Sequence, residues 1–135
     1  MIITNAKESK NIDNLISKKY KIPSNIRMEV AGLEAFKLIN SYFKPKRALI
    51  IIGTGNNGGD GLVLARYMFI NNISCDIFMM ENSKKTSVDF KNNKKIVEKL
   101  NINFVKSLNK NKISNYDLIV DAIFGIGLNR DIQIK

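Results

Sequence analysis

Ala48-Leu49-Ile50-Ile51-Ile52, running directly into Gly53-Thr54-Gly55-Asn56-Asn57-Gly58-Gly59-Asp60-Gly61, decides the fold of this 135-residue chain. Five consecutive apolar residues offer no polar side to water, so they read as a parallel strand buried on both faces. The glycine-rich turn opens a helix expected over about residues 61–71. Strand and helix then alternate: a strand at 74–80, a lysine-rich helix at 86–100 with Phe90, Val97 and Leu100 inward, a brief strand at 103–105 and a fourth within 116–124. Two helices come before the first strand. One covers 6–20, with Ile12, Leu15 and Ile16 on one side; the other is N-capped by Ser24, carries Val30, Leu33, Ala35, Phe36 and Ile39, and is ended by Pro45. This order predicts an α/β fold, a doubly wound parallel sheet preceded by two helices.

Composition removes several classes of chemistry. There is no histidine, which excludes His-based triads and His-ligated metals, and the single cysteine, Cys75, cannot form an internal disulfide or a multi-cysteine zinc site. No apolar run approaches the roughly 18 residues of a membrane span, and the N-terminus lacks the apolar core of a secretory signal, so a cytoplasmic protein without membrane attachment is expected. The net charge of +10 comes from 18 Lys against 4 Arg, beside 18 Asn and 21 Ile. That trio is the bias of an A/T-rich coding sequence. The lysines are dispersed rather than striped, so no specific nucleic-acid binding is expected.

Gly53, Gly55 and Gly58 fit G-x-G-x-x-G between strand and helix, with Glu81 where a ribose-binding acid stands in an ordinary Rossmann domain. The absence of a following Lys-Ser/Thr excludes a P-loop. Five glycines in nine residues leave backbone N–H groups bare at a helix N-terminus, a cradle for phosphate. Asp60 in the same first turn would repel that phosphate. Its structural role would be N-capping; its functional role would be to share the site with a cation, for which Asn57 offers a hard amide oxygen. A second loop follows the fourth strand, Asp121-Ala122-Ile123-Phe124-Gly125-Ile126-Gly127-Leu128-Asn129-Arg130-Asp131. In a doubly wound sheet the ends of the first and fourth strands flank the crevice where ligands bind. Asp121, at the end of an apolar strand, needs a partner if it is buried: either a cation shared with Asn57 or loop amides.

The segment G-T-G-N-N-G-G-D-G-L-V-L-A-R at 53–66 resembles the first signature of the YjeF N-terminal domain family, the NAD(P)H-hydrate epimerases. V-D-A-I-F-G-I-G-L at 120–128 resembles its second, and Asp13 and Met28-Glu29-Val30-Ala31-Gly32 look like its N-terminal helices. The resemblance implies a Rossmann-like fold and an isomerase that interconverts the R and S epimers at C6 of hydrated NADH and NADPH. A dehydratase that takes one epimer, a separate partner or fused in the same protein, could then repair both. By this resemblance Asn56, Asn57, Gly58, Gly59 and Asp60, with Gly125, Ile126, Gly127, Leu128, Asn129, Arg130 and Asp131, bind the substrate. Asn57 and Asp121 match ligands of one potassium ion per subunit, and Asp131 or Asp60 is the expected acid–base participant. A homodimer is compatible with it.

The family domain continues to a strand bearing a D-x-P-S-G segment that supplies a further substrate contact and cation ligand. This chain ends at Lys135 without that segment. Residues 1–135 are therefore expected to form a single incomplete domain (a truncated domain, a fragment of a longer protein, or a decayed gene product) inactive on its own. Two other readings stand beside the epimerase. One is a non-catalytic interaction module on the same fold; the other is an ordinary NAD-binding domain using Gly53, Gly55, Gly58 and Glu81.

Overall fold

Ala48, Leu49, Ile50 and Ile52 have no exposed surface, and the strand they form, β1 (Arg47–Ile52), lies in the middle of the sheet. The computed structural model describes residues 5–80 and 86–125. Before β1 come α1 (Ala6–Lys19) and α2 (Ser24–Tyr42); after it come α3 (Asn56–Ile70), β2 (Ser74–Met79), α4 (Val88–Lys99), β3 (Asn103–Phe104), α5 (Lys110–Ile113) and β4 (Leu118–Ala122). All strand pairs are parallel and the order is β3-β2-β1-β4. Ile50 pairs with Ile77 on one side and Val120 on the other. The chain thus leaves β1 in one direction for β2 and returns to its other side for β4, which makes the β1–β4 boundary the switch point of a doubly wound sheet.

The core lies between this sheet and α3. Ala48, Ile50, Ile52, Ile77 and Ala122 meet Leu62, Leu64, Ala65 and Met68, with Phe90 and Val97 of α4 closing one side. α2 runs alongside α3 with matching steps of four residues: Met28 against Gly59, Gly32 against Val63, Phe36 stacked on Tyr67. A Cβ on Gly32 would stand 2.4 Å from Val63 Cγ1, so glycine sets how closely the two helices approach. At the opposite end of the sheet Asp76 is buried and accepts from Arg47 Nη2 (2.9 Å), Asn103 Nδ2 (2.7 Å) and Tyr116 Oη (2.7 Å), joining the starts of the strands. Asn72 and Asn101 take left-handed φ values of 59° and 55° just past α3 and α4, the role glycine usually fills at helix ends.

Several local expectations need correction. α3 begins at Asn56, not near Gly61, so Asn-Asn-Gly-Gly-Asp is helical. Pro23, not Ser24, holds the N-cap of α2, in extended conformation and without a side-chain cap bond. Val30 is 53% exposed, because α2 buries Met28, Gly32 and Phe36 instead. α1 forms as expected, with a capping box in which Asn5 and Glu8 exchange bonds of 2.9 and 3.0 Å, yet it buries no residue. Its apolar side, Ile12 and Leu15, remains exposed. The short α5, capped by Asn109, was not anticipated.

Candidate functional site

Gly55 caps α3 with no side chain, and the first helical bond runs from Gly59 N to Gly55 O (3.1 Å). The amides of Asn56, Asn57 and Gly58 therefore have no intrahelical acceptor and point out at the carboxyl end of the sheet. Gly58 makes this possible, since its Cβ would stand 2.0 Å from the Gly53 carbonyl oxygen. Among the described residues a Cβ on Gly55 would meet nothing within 4 Å, so they leave the space in front of the helix open. An amide cluster at a dipole's positive end, with free space before it, is suited to a phosphate or another anionic group.

The second loop lies against this terminus. Gly53 N donates to Ala122 O (3.1 Å), and Asn57 Nδ2 donates to Phe124 O (3.1 Å). Gly125 packs on the Asn57 side chain, its Cβ position 3.6 Å from Oδ1. Asn56, Asn57, Gly58 and Gly59 thus share one helix start, and Gly125 faces them. Ile126, Gly127, Leu128, Asn129, Arg130 and Asp131 lie outside the described residues, as does Glu81.

The two acids behave differently from expectation. Asp121 is exposed, and its Oδ1 accepts the Ile123 N–H at 2.9 Å, a turn of the aspartate's own making. β4 is an edge strand among the described residues, so the side chain reaches water and no burial penalty demands a counter-ion. The argument for a cation from desolvation falls. Among the described residues no group of three acidic or cysteine side chains could hold a metal. Asn57 Oδ1 and Asp121 Oδ2 accept no hydrogen bond among the described residues.

Asp60 is in the second turn of α3, not at its N-cap, so capping is not its role. Three residues on from Asn57, it projects from an adjoining side of the helix. It is half-buried and its carboxyl makes no hydrogen bond or ion pair among the described residues. Burial, and then the charge of Asp13 on α1, push its pKa up to about 6. A half-buried carboxyl poised near neutrality beside an open helix terminus is fit for proton transfer. Sequence reading did not connect Asp13 with Asp60. They are 47 positions apart, and no local pattern links them. It likewise missed the role of Glu29, which accepts from Arg66 and from Tyr67 Oη (2.6 Å) and ties α2 to α3 nearly two turns beyond Asp60.

Comparison with known proteins agrees with this architecture. Residues 24–135 match the family described as YjeF-related protein N-terminus. An NAD(P)H-hydrate epimerase of Oenococcus oeni is 35% identical over 133 residues, 97% of this chain and 62% of that protein. One of Levilactobacillus brevis is 39% identical over 115 residues, 84% of this chain and 53% of that protein. A bifunctional NAD(P)H-hydrate repair enzyme of Moorella thermoacetica is 34% identical over 94% of the chain, which spans 26% of its length. The crystal structure of the yeast protein ynu0 superposes with a TM-score of 0.81 at 24% identity, covering 98% of this chain and 60% of that one. The chain thus spans at most about three-fifths of these relatives. By the extent of the match, by the two glycine-bearing segments and by the sheet order that brings them together, the chain belongs to the YjeF-related N-terminal family.

Proposed function

We propose that this protein is an NAD(P)H-hydrate epimerase, inverting C6 of hydrated NADH or NADPH. The observation that supports it best is the bare amide terminus of α3, bearing N-N-G-G-D-G, closed on one side by the β4 loop through Asn57 and Phe124. The amides of Asn56, Asn57 and Gly58 would take an anionic part of the nucleotide, leaving the damaged ring near Asp60. At C6 the ring nitrogen supplies the driving force: its lone pair forms N1=C6 as the C6–O bond breaks, and the oxygen leaves as water with a proton from an acid. Water then adds to the opposite face of C6, returning the electron pair to nitrogen and its proton to a base. Nothing is gained or lost except configuration. Asp60, poised near neutrality, is the proposed acid, and Asp131 the proposed second participant.

Asn57 Oδ1 and Asp121 Oδ2 are hard oxygen donors on facing segments, and in this reading they hold one potassium ion. Bound there, the ion would offset negative charge on the nucleotide. A dehydratase acting on one epimer would consume the product, and the bifunctional relatives support such a pairing.

The test adds the protein to one purified epimer of each hydrate and follows C6 configuration by chromatography. Equilibration faster than the spontaneous rate, weakened by Asp121→Asn more at low potassium than at high, is expected. A folded protein that binds the hydrate but leaves its configuration alone, potassium present, would make this an interaction module instead.

A further inference from the structure

The lysines that look dispersed along the sequence are unevenly placed on the fold. α2 and α3 have one between them, Lys37, whereas the 12 residues of α4 have four. α4 buries Phe90, Asn93 and Val97. Lys91, Lys95 and Lys99, spaced by four residues, are exposed on the opposite side of the helix. Lys94 is set apart from them, pairing with Glu98 and standing 5.6 Å from the centre of the Phe104 ring. Among the described residues no acid pairs with the other three. Like charges at this spacing weaken a helix, and Lys91 also stands near the positive end of the helix dipole. The row does nothing for the stability of α4.

Where the row begins gives it a use. Phe90 Cα lies 3.7 Å from the point where Gly59 would carry a Cβ, so the first turn of α4 lies against N-N-G-G-D-G. Consecutive Cα atoms are about 3.8 Å apart, which puts Lys91 Cα within about 7.5 Å of that point. Lys95 and Lys99 continue the row along α4 in steps of about 6 Å. Asp89, half-buried in the same first turn, offsets one charge and leaves the row cationic. We propose that Lys91, Lys95 and Lys99 steer the phosphate-bearing substrate toward the α3 terminus and favour the hydrate of NADPH over that of NADH. Both hydrates carry a pyrophosphate; the NADPH form adds a phosphate monoester with up to about two further negative charges. A row of cations ending beside a site raises the rate at which an anion meets it, without touching the reacting atoms. Its reach is set by salt, since the Debye length is about 30 Å at 0.01 M ionic strength and about 8 Å at 0.15 M.

The inference rests on the epimerase reading for the identity of the ligand, and the test measures binding and turnover separately. It compares wild type with Lys91→Gln/Lys95→Gln/Lys99→Gln, with the same three positions changed to Arg, and with a charge-matched control. The control is Lys37→Gln/Lys44→Gln/Lys46→Gln, toward the amino end of β1 and away from the α3 terminus. Kd by calorimetry, and kcat and KM for epimerisation, are read for each hydrate at 0.01 M and 0.3 M salt. At 0.01 M the α4 glutamine variant should bind the NADPH hydrate about fivefold or more weakly and the NADH hydrate less affected, with KM raised and kcat unchanged. The arginine variant should match wild type, and the differences should vanish at 0.3 M. Equal losses in the control, equal losses for the two hydrates, or a loss that persists at 0.3 M overturns the proposal. Binding that follows the row in a protein inverting neither hydrate upholds the steering and sinks the epimerase reading instead. A protein that binds neither hydrate overturns both.

Discussion

Replacing Gly32 by alanine tests how the site's supporting helices are held together. Two effects oppose each other. In a helix interior, alanine for glycine is worth about 1 kcal/mol in favour of folding. Against this, the added Cβ would stand 2.4 Å from Val63 Cγ1 and 2.6 Å from Val63 Cβ, where carbon atoms normally rest at about 3.5–4.0 Å. α2 and α3 must part by about 1 Å, since Val63 is fully buried and its β-branched side chain has essentially one rotamer in a helix. Overpacking of this kind costs about 1–3 kcal/mol, and separation also loosens Met28 on Gly59 and the Phe36–Tyr67 stack, centroids 6.0 Å apart. The clash wins. Gly32→Ala should lose a net of about 1–2 kcal/mol, read as a lower urea midpoint at unchanged slope. Val63→Ala removes the nearer clashing atom, so in that background Gly32→Ala should cost less by about 0.5 kcal/mol or more. A higher midpoint for Gly32→Ala, or the same cost in both backgrounds, would refute the close-approach argument.

Gly55→Ala should leave stability within about 1 kcal/mol, its Cβ meeting nothing, but weaken nucleotide binding measured by calorimetry, because it enters the space before the α3 amides. Asp60→Asn should stabilise the fold increasingly as pH rises from about 4 to 6. The native carboxyl, with its pKa near 6 against 3.8, keeps a proton there that the unfolded chain gives up. The ceiling is about 3 kcal/mol, reduced to about 1–2 because part of the carboxyl meets water; thermal melts at pH 4 and pH 7 would read it. Tyr116→Phe should cost about 1–2 kcal/mol at neutral pH by removing a donor from buried Asp76. Burial opposes that charge, but Asn103, Tyr116 and Arg47 hold the carboxyl below its usual range, so the loss should shrink as pH falls through that range.

What the sequence made legible was whatever repeats locally. The apolar run of β1, the glycine turn and the later alternation were enough for a parallel sheet with its switch point beside β4, and the two glycine segments do meet there. Where reading failed, the deciding contact was distant. α3 starts five residues early because glycines that are poor helix formers are the ones its neighbours require, so tertiary packing outweighs propensity. Val30 recurs at helical spacing with Leu33 and Phe36, yet it is exposed. The face of α2 is instead centred on Gly32, which carries no apolar signal. Asp121 was argued from the cost of burying a charge, and the premise failed because β4 pairs on one side only among the described residues. The charge of Asp13 reaches Asp60 from a segment 47 positions away, and nothing in either segment announces it.

The six residues N-N-G-G-D-G therefore hold two kinds of information, separated by the turn of the helix. Gly58 meets the Gly53 carbonyl, Gly59 meets Met28, and Gly61 meets Ile52 and Ala122, each where a Cβ would come within 3 Å of a neighbour. Those three positions face the sheet, α2 and the β1 turn, and they determine how deep α3 lies. The remaining directions are left to Asn56, exposed, and to Asn57 and Asp60, both half-buried. Depth and chemistry are coupled through this arrangement. A helix lifted by one added methyl would move the Asn57 amide away from Phe124 and carry Asp60 with it. A glycine variant that still folds should therefore lose the site, whereas exchanging Asn57 or Asp60 should remove function from a fold that remains intact.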